Sequence, residues 1–231
     1  MNIALITAGG RGTRMHQVIP KQFTAVYDKP IIVHTMERFE HHPAIDVIAV
    51  VCLEHWEDIL ESYAKRYGIS KLKHIIPGGQ VGQESIRNGI NELAKHYSAD
   101  DIVLVHDAVR PLIPEDLISN CIATTEEKGN AIACVPCLEA LLETRDGQIS
   151  TQGQNRDFYM RAQAPQGFHL KDLVRVHRDA LERGITNTTA SCSLMVEMGE
   201  KVHLIEGSNL NLKITFPEDL DIFKALLKVK L

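Results

Sequence analysis

Leu5-Ile6-Thr7-Ala8-Gly9-Gly10-Arg11-Gly12-Thr13-Arg14-Met15, with Pro20-Lys21-Gln22 shortly after, is an apolar strand running into a glycine-rich turn that carries cations. Glycines let a backbone approach an anion closely and aim successive N–H groups at it, and Arg14 and Lys21 add full positive charge beside those dipoles. The chain is acidic overall, with 30 Asp and Glu against 25 Lys and Arg, yet no carboxylate precedes Asp28. An anion arriving at this turn meets only cations, which points to bound phosphate. Reading it as a bare turn with solvated cations leaves the preceding strand and the Pro-Lys-Gln unexplained.

Two familiar phosphate loops are excluded. A dinucleotide fingerprint needs a third glycine where Met15 stands, and the nucleoside triphosphatase loop needs a Gly-Lys-Ser/Thr that the turn lacks. Downstream, strands and helices alternate. Residues 2–7, 45–52, 73–76, 101–105, 130–135 and 202–205 read as strands. Residues 30–40, 55–66, 81–96, 114–128 and 170–183 read as helices, with a last helix opened by Pro217-Glu218-Asp219. Continuous apolar strands alternating with helices predict an α/β fold: a doubly wound, Rossmann-like, mostly parallel sheet covered on both faces. In such sheets ligands bind at the carboxyl ends of the strands, where both the glycine turn and His106-Asp107 fall.

Residues 139–156 break the pattern. They are polar, hold Asp146-Gly147 as a hairpin turn and have little apolar density, so they are expected to form a protruding β-arm. An arm without a core of its own is either a mobile loop or a dimerisation device, and the second is favoured. The expectation is a single domain over 1–231 that carries this arm.

The net charge of −5 and a pI near 6.1 argue against a general nucleic-acid binder, which needs a basic face. No apolar run approaches the ~20 residues that span a bilayer, and the N-terminus enters a strand directly, so a cytoplasmic protein with no membrane partner is expected. Cys52, Cys121, Cys134, Cys137 and Cys192 are an odd number scattered through apolar segments, as reduced thiols are. Cys134-Val-Pro-Cys137 has zinc-ligand spacing but no second ligand pair. The eleven histidines read as mostly surface or boundary residues.

Two further segments carry chemistry. Asp107, in Val105-His106-Asp107-Ala108-Val109-Arg110-Pro111, ends a parallel strand at the crevice that the glycine turn faces. A carboxylate there can anchor magnesium, a hard cation that takes one or two carboxylates plus phosphate oxygens; the plainer reading is a turn aspartate. Lys213, in Asn211-Leu212-Lys213-Ile214-Thr215, can neutralise charge on a transferring phosphoryl group, or simply snorkel to the surface.

These pieces, together with Gly78-Gly79 and Ser85, Asn155-Arg156, Ala164-Pro165-Gln166 and Pro217-Glu218-Asp219-Leu220, follow in order across essentially the whole chain. It resembles the cytidylyltransferases of the methylerythritol phosphate type, which include the ribitol 5-phosphate enzymes. The resemblance implies transfer of CMP from CTP to the phosphate of a small polyol, releasing pyrophosphate, with Mg2+ as cofactor and a homodimer joined through the β-arm. By position it implies that Ala8, Gly9, Gly10, Gly12 and Thr13, with Arg14 and Lys21, hold the triphosphate. Gly78, Gly79 and Ser85 would then read the cytosine, Asp107 and Ala108 would sit at the nucleotide, and Asp107 would bind the metal. Arg14, Lys21 and Lys213 would be the catalytic cations, and Arg110, Arg156 and Thr188 would face the acceptor, Arg156 reaching across the dimer.

The chain also departs from that pattern. Gly82 stands where the cytosine loop usually has Arg, and Ala140, preceded by Glu139, replaces the Thr of an Asp-Thr pair. Ala164 replaces the Thr before Pro-Gln, and Thr188-Thr189-Ala190-Ser191 replaces a Thr-Asp-Glu/Ala-Ser/Cys segment. Most departures fall on the acceptor side, so the residues specify the nucleotide more closely than the polyol. Two readings stay open: a sugar 1-phosphate enzyme using another nucleotide, and a nucleotide-binding regulator without turnover.

Overall fold

The structure is a computed structural model, and it describes residues 1–10 and 19–229. In chain order the strands are β1 (Asn2–Ala8), β2 (Ala25–Val26), β3 (Lys29–Pro30), β4 (Val47–Cys52), β5 (Leu72–Pro77), β6 (Ile102–Asp107), β7 (Asn130–Pro136), β8 (Leu141–Glu143), β9 (Gln152–Gln154), β10 (Met160–His169) and β11 (Leu204–Glu206). The helices are α1 (Ile31–Glu40), α2 (Glu57–Arg66), α3 (Gly82–Leu93), α4 (Glu115–Lys128), α5 (Leu170–Glu182), α6 (Ser191–Glu197) and α7 (Pro217–Lys228).

Seven strands form one sheet in the order β11-β7-β10-β6-β1-β4-β5. All neighbours are parallel except β10, which runs antiparallel to both β6 and β7. Period-two alternation along the strands feeds two cores. Ala4, Ile6, Ile48, Val50 and Leu104 point to the face covered by α1, α2 and α4, where Met36, Phe39, Leu60 and Ile118 are fully buried. Ile3, Leu5, Ala49, Val51 and Val103 point to the other face, against Ile90 and Leu93 of α3, Leu173 and Val176 of α5, and Leu194 of α6. The sheet is doubly wound, as the element order predicts.

A smaller cluster of Val109, Leu112, Ile214, Leu220 and Phe223 docks α7, with the segment before it, against the residues that follow β6. The main chain cements this contact, since Ile214 N donates to Val109 O at 2.9 Å. That packing is what carries Lys213 to the end of β6.

The expected arm is present as the two-stranded β8–β9 hairpin. Its turn is made at Gly147, whose φ of +72° is open to glycine, while Asp146 Oδ1 accepts from Gln148 N and Ile149 N. Two elements were not anticipated: the segment before Phe168 is the long strand β10, and residues 191–197 form α6. Most described histidines lie at the surface or its boundary, as expected, while His42, His106 and His177 are buried. All five cysteines are buried and free, and no described helix is long and apolar enough to cross a membrane.

Candidate active site

The carboxyl ends of β1, β4, β5 and β6 meet at one edge of the sheet. β1 ends at Ala8, whose carbonyl accepts from Gln22 Nε2 at 2.7 Å, and the same nitrogen donates to Gly10 O at 2.9 Å. Gln22 is 2% exposed, so the glutamine of Pro-Lys-Gln pins the entrance of the glycine turn from inside. The residues 11–18, among them Gly12, Thr13 and Arg14, lie outside the described residues.

The Gly78-Gly79 loop packs directly on that entrance. A Cβ on Gly78 would lie 3.0 Å from Cys52 O and 3.3 Å from Gly9 Cα, so two backbones approach closely where a side chain would crowd both. A Cβ on Gly79 would lie 2.3 Å from Glu84 Cγ. Ser85, buried on the first turns of α3, accepts from Gly79 N at 3.0 Å and donates to Val81 O at 3.1 Å. Glu84 accepts from Gln80 N at 2.6 Å. Gly9, Gly78, Gly79 and Ser85, read separately in the sequence, form one wall.

Asp107 closes β6 at the centre of the crevice. Lys213 Nζ donates to its Oδ1 at 2.9 Å and Arg110 Nε to its Oδ2 at 2.9 Å. Burial alone would raise this carboxyl's pKa, but the charges of Lys213 and Arg110 outweigh it and hold the group ionised, well below the usual carboxylate range. Arg110 Nη1 also donates to Asn211 O at 2.7 Å, and Asn211 Nδ2 donates to Ala164 O at 2.6 Å. Lys21 Nζ reaches Ile214 O at 3.0 Å. The 211–215 segment therefore brings Arg110 and Lys213 onto one carboxylate, although Asp107 and Lys213 are 106 residues apart, and it holds Lys21 through the carbonyl of Ile214. Ala108, buried, donates its N–H to Thr7 O at 3.1 Å.

Beside Asp107 opens a cavity of about 420 Å3, walled by Thr7, Gln83, Asp107, Arg110, Ala164, Thr188, Ser191 and Lys213 among others. Thr188 is held by α3: its N–H donates to Gln83 Oε1 at 2.8 Å and its hydroxyl does so at 3.2 Å. Of the departing positions, Gly82, Ala164 and Thr189 line this cavity, whereas Ala140 is exposed at the base of the arm and does not. Arg156 is not brought to the cavity either. It begins a short 3-10 turn at the arm's base, and its guanidinium donates to Leu138 O.

Three wall residues were given no role of their own in the sequence reading. Ser191 Oγ and both ring nitrogens of His177 are buried with no hydrogen-bond partner, as is Nδ1 of His106. Burial pushes the His177 and His106 pKa values down to about 4, so both rings are neutral at neutral pH. His106 Nε2 lies 3.1 Å from the carbonyl of Arg110 and must donate to it, which leaves Nδ1 as the bare acceptor. His177 was detectable in principle: it stands with Leu173, Val176 and Ala180 on the apolar face of α5, where an imidazole needs a reason.

A doubly wound sheet whose strand ends present a glycine turn, paired cations around one carboxylate and an adjoining polar cavity defines a nucleotidyltransferase. Comparison with known proteins narrows the class. The family model described as IspD, 2-C-methyl-D-erythritol 4-phosphate cytidylyltransferase, matches residues 2–229. A ribitol-5-phosphate cytidylyltransferase of Vibrio parahaemolyticus is 42% identical over 228 residues, 98% of this chain and 96% of that protein. A 2-C-methyl-D-erythritol 4-phosphate cytidylyltransferase of Syntrophus aciditrophicus is 34% identical over 229 residues, 98% of this chain and 95% of that protein. The crystal structure of the Francisella tularensis 2-C-methyl-D-erythritol 4-phosphate cytidylyltransferase superposes with a TM-score of 0.82 at 26% identity, covering 97% of this chain and 98% of that one.

The chain belongs to the 2-C-methyl-D-erythritol 4-phosphate cytidylyltransferase family. It is a CTP-dependent enzyme that transfers CMP to a phosphorylated polyol.

Proposed function

We propose that the acceptor is ribitol 5-phosphate and the product CDP-ribitol. The observation that carries this reading is the makeup of the cavity wall beside Asp107. Ala164 and Thr189 alter it relative to the methylerythritol pattern, while Ser191 and His177 add to the wall buried polar side chains without a partner among the described residues. Ribitol 5-phosphate has one more hydroxyl than methylerythritol 4-phosphate and no methyl branch, and unpartnered buried polar groups favour the more hydroxylated ligand. The 42% identity to a ribitol-5-phosphate enzyme, against 34% to a methylerythritol one, supports the same choice.

In this reading an oxygen of the acceptor phosphate attacks the α-phosphorus of CTP. The bond to the β,γ-pyrophosphate breaks, and no protein nucleophile is needed because the acceptor is already an anion. Positioning and charge neutralisation are then the protein's contribution. Ala8, Gly9, Gly10, Gly12 and Thr13 cradle the triphosphate, with Ala108 at its edge, and Gly78, Gly79 and Ser85 confine the cytosine. Arg14, Lys21 and Lys213 meet the charge that builds at the α-phosphorus, while Arg110 and Thr188 face the acceptor.

The donor set suits Mg2+, a cation held by one carboxylate with phosphate oxygens and water completing its shell. Asp107 is that carboxylate: it is ionised, and Lys213 takes one lone pair of Oδ1 and Arg110 one lone pair of Oδ2. Bound there, the ion would supply positive charge beside the transferring phosphoryl group.

The whole chain, 1–231, acts in this reading as one nucleotidyltransferase domain, at work in the cytoplasm where CTP is made. Two such chains form a homodimer, and Arg156 serves the partner's acceptor site. Support comes from the arm and its base, where Leu142 is 69%, Ile149 70% and Phe158 84% exposed, more apolar surface than a hairpin with no core would leave in water.

The deciding experiment is an acceptor panel at saturating CTP, reading pyrophosphate release from ribitol 5-phosphate, methylerythritol 4-phosphate and glycerol phosphate. Each lost hydroxyl contact to a charged group costs about 1.5–3 kcal/mol. Methylerythritol 4-phosphate should therefore fall roughly 10- to 100-fold below ribitol 5-phosphate in kcat/KM. If methylerythritol 4-phosphate has the highest value of the panel, the departures are neutral and the ribitol reading fails.

A further inference from the structure

At the sheet edge remote from the arm, the edge strand β5 and the C-terminal end of α3 bring together a second group of ligand-type side chains. One ring nitrogen each of His74 and His96 and a carboxylate oxygen of Glu92 all lie within 4.8 Å of one another. Glu92 and His96 are one helical turn apart, and His96 Nε2 sits 3.1 Å from Glu92 Oε1. The two imidazole centroids are 4.9 Å apart with their planes 33° from parallel. Tyr97 fixes the His74 ring, its hydroxyl 2.8 Å from His74 Nε2.

We propose that His74, Glu92 and His96 form a zinc-binding clip, with water as the fourth ligand, that fastens the edge strand to the end of α3. Two imidazoles and one carboxylate are a recurrent zinc donor set, and tetrahedral binding leaves one position for water. Zn–N and Zn–O bonds of about 2.0–2.2 Å put ligand atoms roughly 3.3–3.5 Å apart. The group therefore closes by small rotations of side chains that are not locked in the core. Two features prepare the site. The C-terminal end of α3 carries the negative end of the helix dipole and attracts a cation. His74 is held by an outer partner, as ligating imidazoles usually are. Lys95 takes the other oxygen of Glu92 at 2.6 Å and leaves Oε1 for the metal.

The clip differs from the Asp107 site in place and in chemistry. The opposite end of α3 carries Ser85 against Gly79, so the metal would tie the helix that shapes the nucleotide wall to the edge of the sheet.

The test uses the full chain after metal removal. Zn2+ is titrated by calorimetry and by thermal melting, and Co2+ is titrated as a spectroscopic substitute whose intense visible bands report four-coordination. The expected result is one equivalent of zinc bound at micromolar concentration, tetrahedral cobalt bands, and a melting temperature raised by roughly 5 °C at 100-fold excess over the dissociation constant. The same binding should persist in Asp107→Asn, which separates it from the magnesium site. It should weaken at least roughly 10-fold in His96→Ala and in His74→Gln. His96 is 47% exposed, so its substitution decides the matter even if the His74 variant folds poorly. Binding unchanged in His96→Ala, binding abolished only by Asp107→Asn, or octahedral cobalt spectra would each overturn the proposal.

Discussion

Asp107 holds Lys213 and Arg110 on its two oxygens, and this arrangement determines what single substitutions do. Lys213 is 42% exposed, so its ion pair adds little to stability, and its value lies in where it places a charge. Lys21→Ala and Lys213→Ala are each expected to lower turnover roughly 100- to 1,000-fold, by analogy with a removed oxyanion donor, while CTP binding weakens far less. Steady-state kinetics decide this, and unchanged turnover in either variant removes that lysine from catalysis. Asp107→Asn should raise the Mg2+ concentration for half-maximal rate; an unshifted titration argues against its metal role. The buried histidines give a separate, pH-dependent expectation. His106 and His177 titrate near 4 in the fold against a usual value of 6.5, so the unfolded chain takes up the proton first. Their contribution is intact above about 6.5 and drains away as pH falls towards 4, by about 2 kcal/mol per histidine between pH 7 and pH 5. Urea unfolding at the two pH values measures it. His177→Leu should remove about half of the drop, and an undiminished drop in that variant clears His177 of responsibility.

At the scale of elements, legibility tracked local information. The strands β1, β4, β6 and β7 are continuous apolar runs, and their positions are readable from composition alone. β10 was not, because Met160 to Gln163 is a polar, largely exposed half-strand whose partner residues in β7 lie some 25 positions upstream. α6 hid behind Thr188-Thr189-Ala190-Ser191, a stretch that looks like a loop and supplies only seven helical residues. The glycine wall was visible piece by piece, since Gly78, Gly79 and Ser85 each announce a tight turn. That Gly78 rests on Gly9 is a tertiary fact no local pattern encodes. The arm carries this scale's prediction. If it crosses a two-fold axis, the protein sediments as a dimer with an isologous interface. Mixing the inactive variants Lys21→Ala and Arg156→Ala then restores activity in hybrid dimers, because one site per hybrid regains both residues. A stable, active monomer ends the idea, and mixing without recovery places Arg156 in its own subunit's site.

Over the whole molecule, the first 107 residues supply the described glycine wall and the central carboxylate, and residues 162–213 supply most of the cavity beside it. The fold class and the pieces of the glycine wall were readable because strands, glycines and cations leave signals at fixed local spacing. The cavity was not, because it is assembled from α3, β10, α6 and the 188–193 segment, none of which carries a motif alone. Strand β10 belongs to both regions at once. Its outer end, Met160 and Arg161, leaves the arm's base beside β7, and its inner end, Ala164 and Gln166, forms the cavity floor beside β6. This one strand is the rod that links the surface assigned to the second chain to the surface assigned to the acceptor, and its pairing register shifts between Ala162 and Gln166. Equilibrium coupling between two sites is reciprocal, so whatever association does to acceptor affinity, the acceptor must do to association by the same factor. Dissociation constants of the dimer measured with and without ribitol 5-phosphate should differ, and should differ equally when the experiment is run in the other direction. Two identical values would mean that the rod transmits nothing.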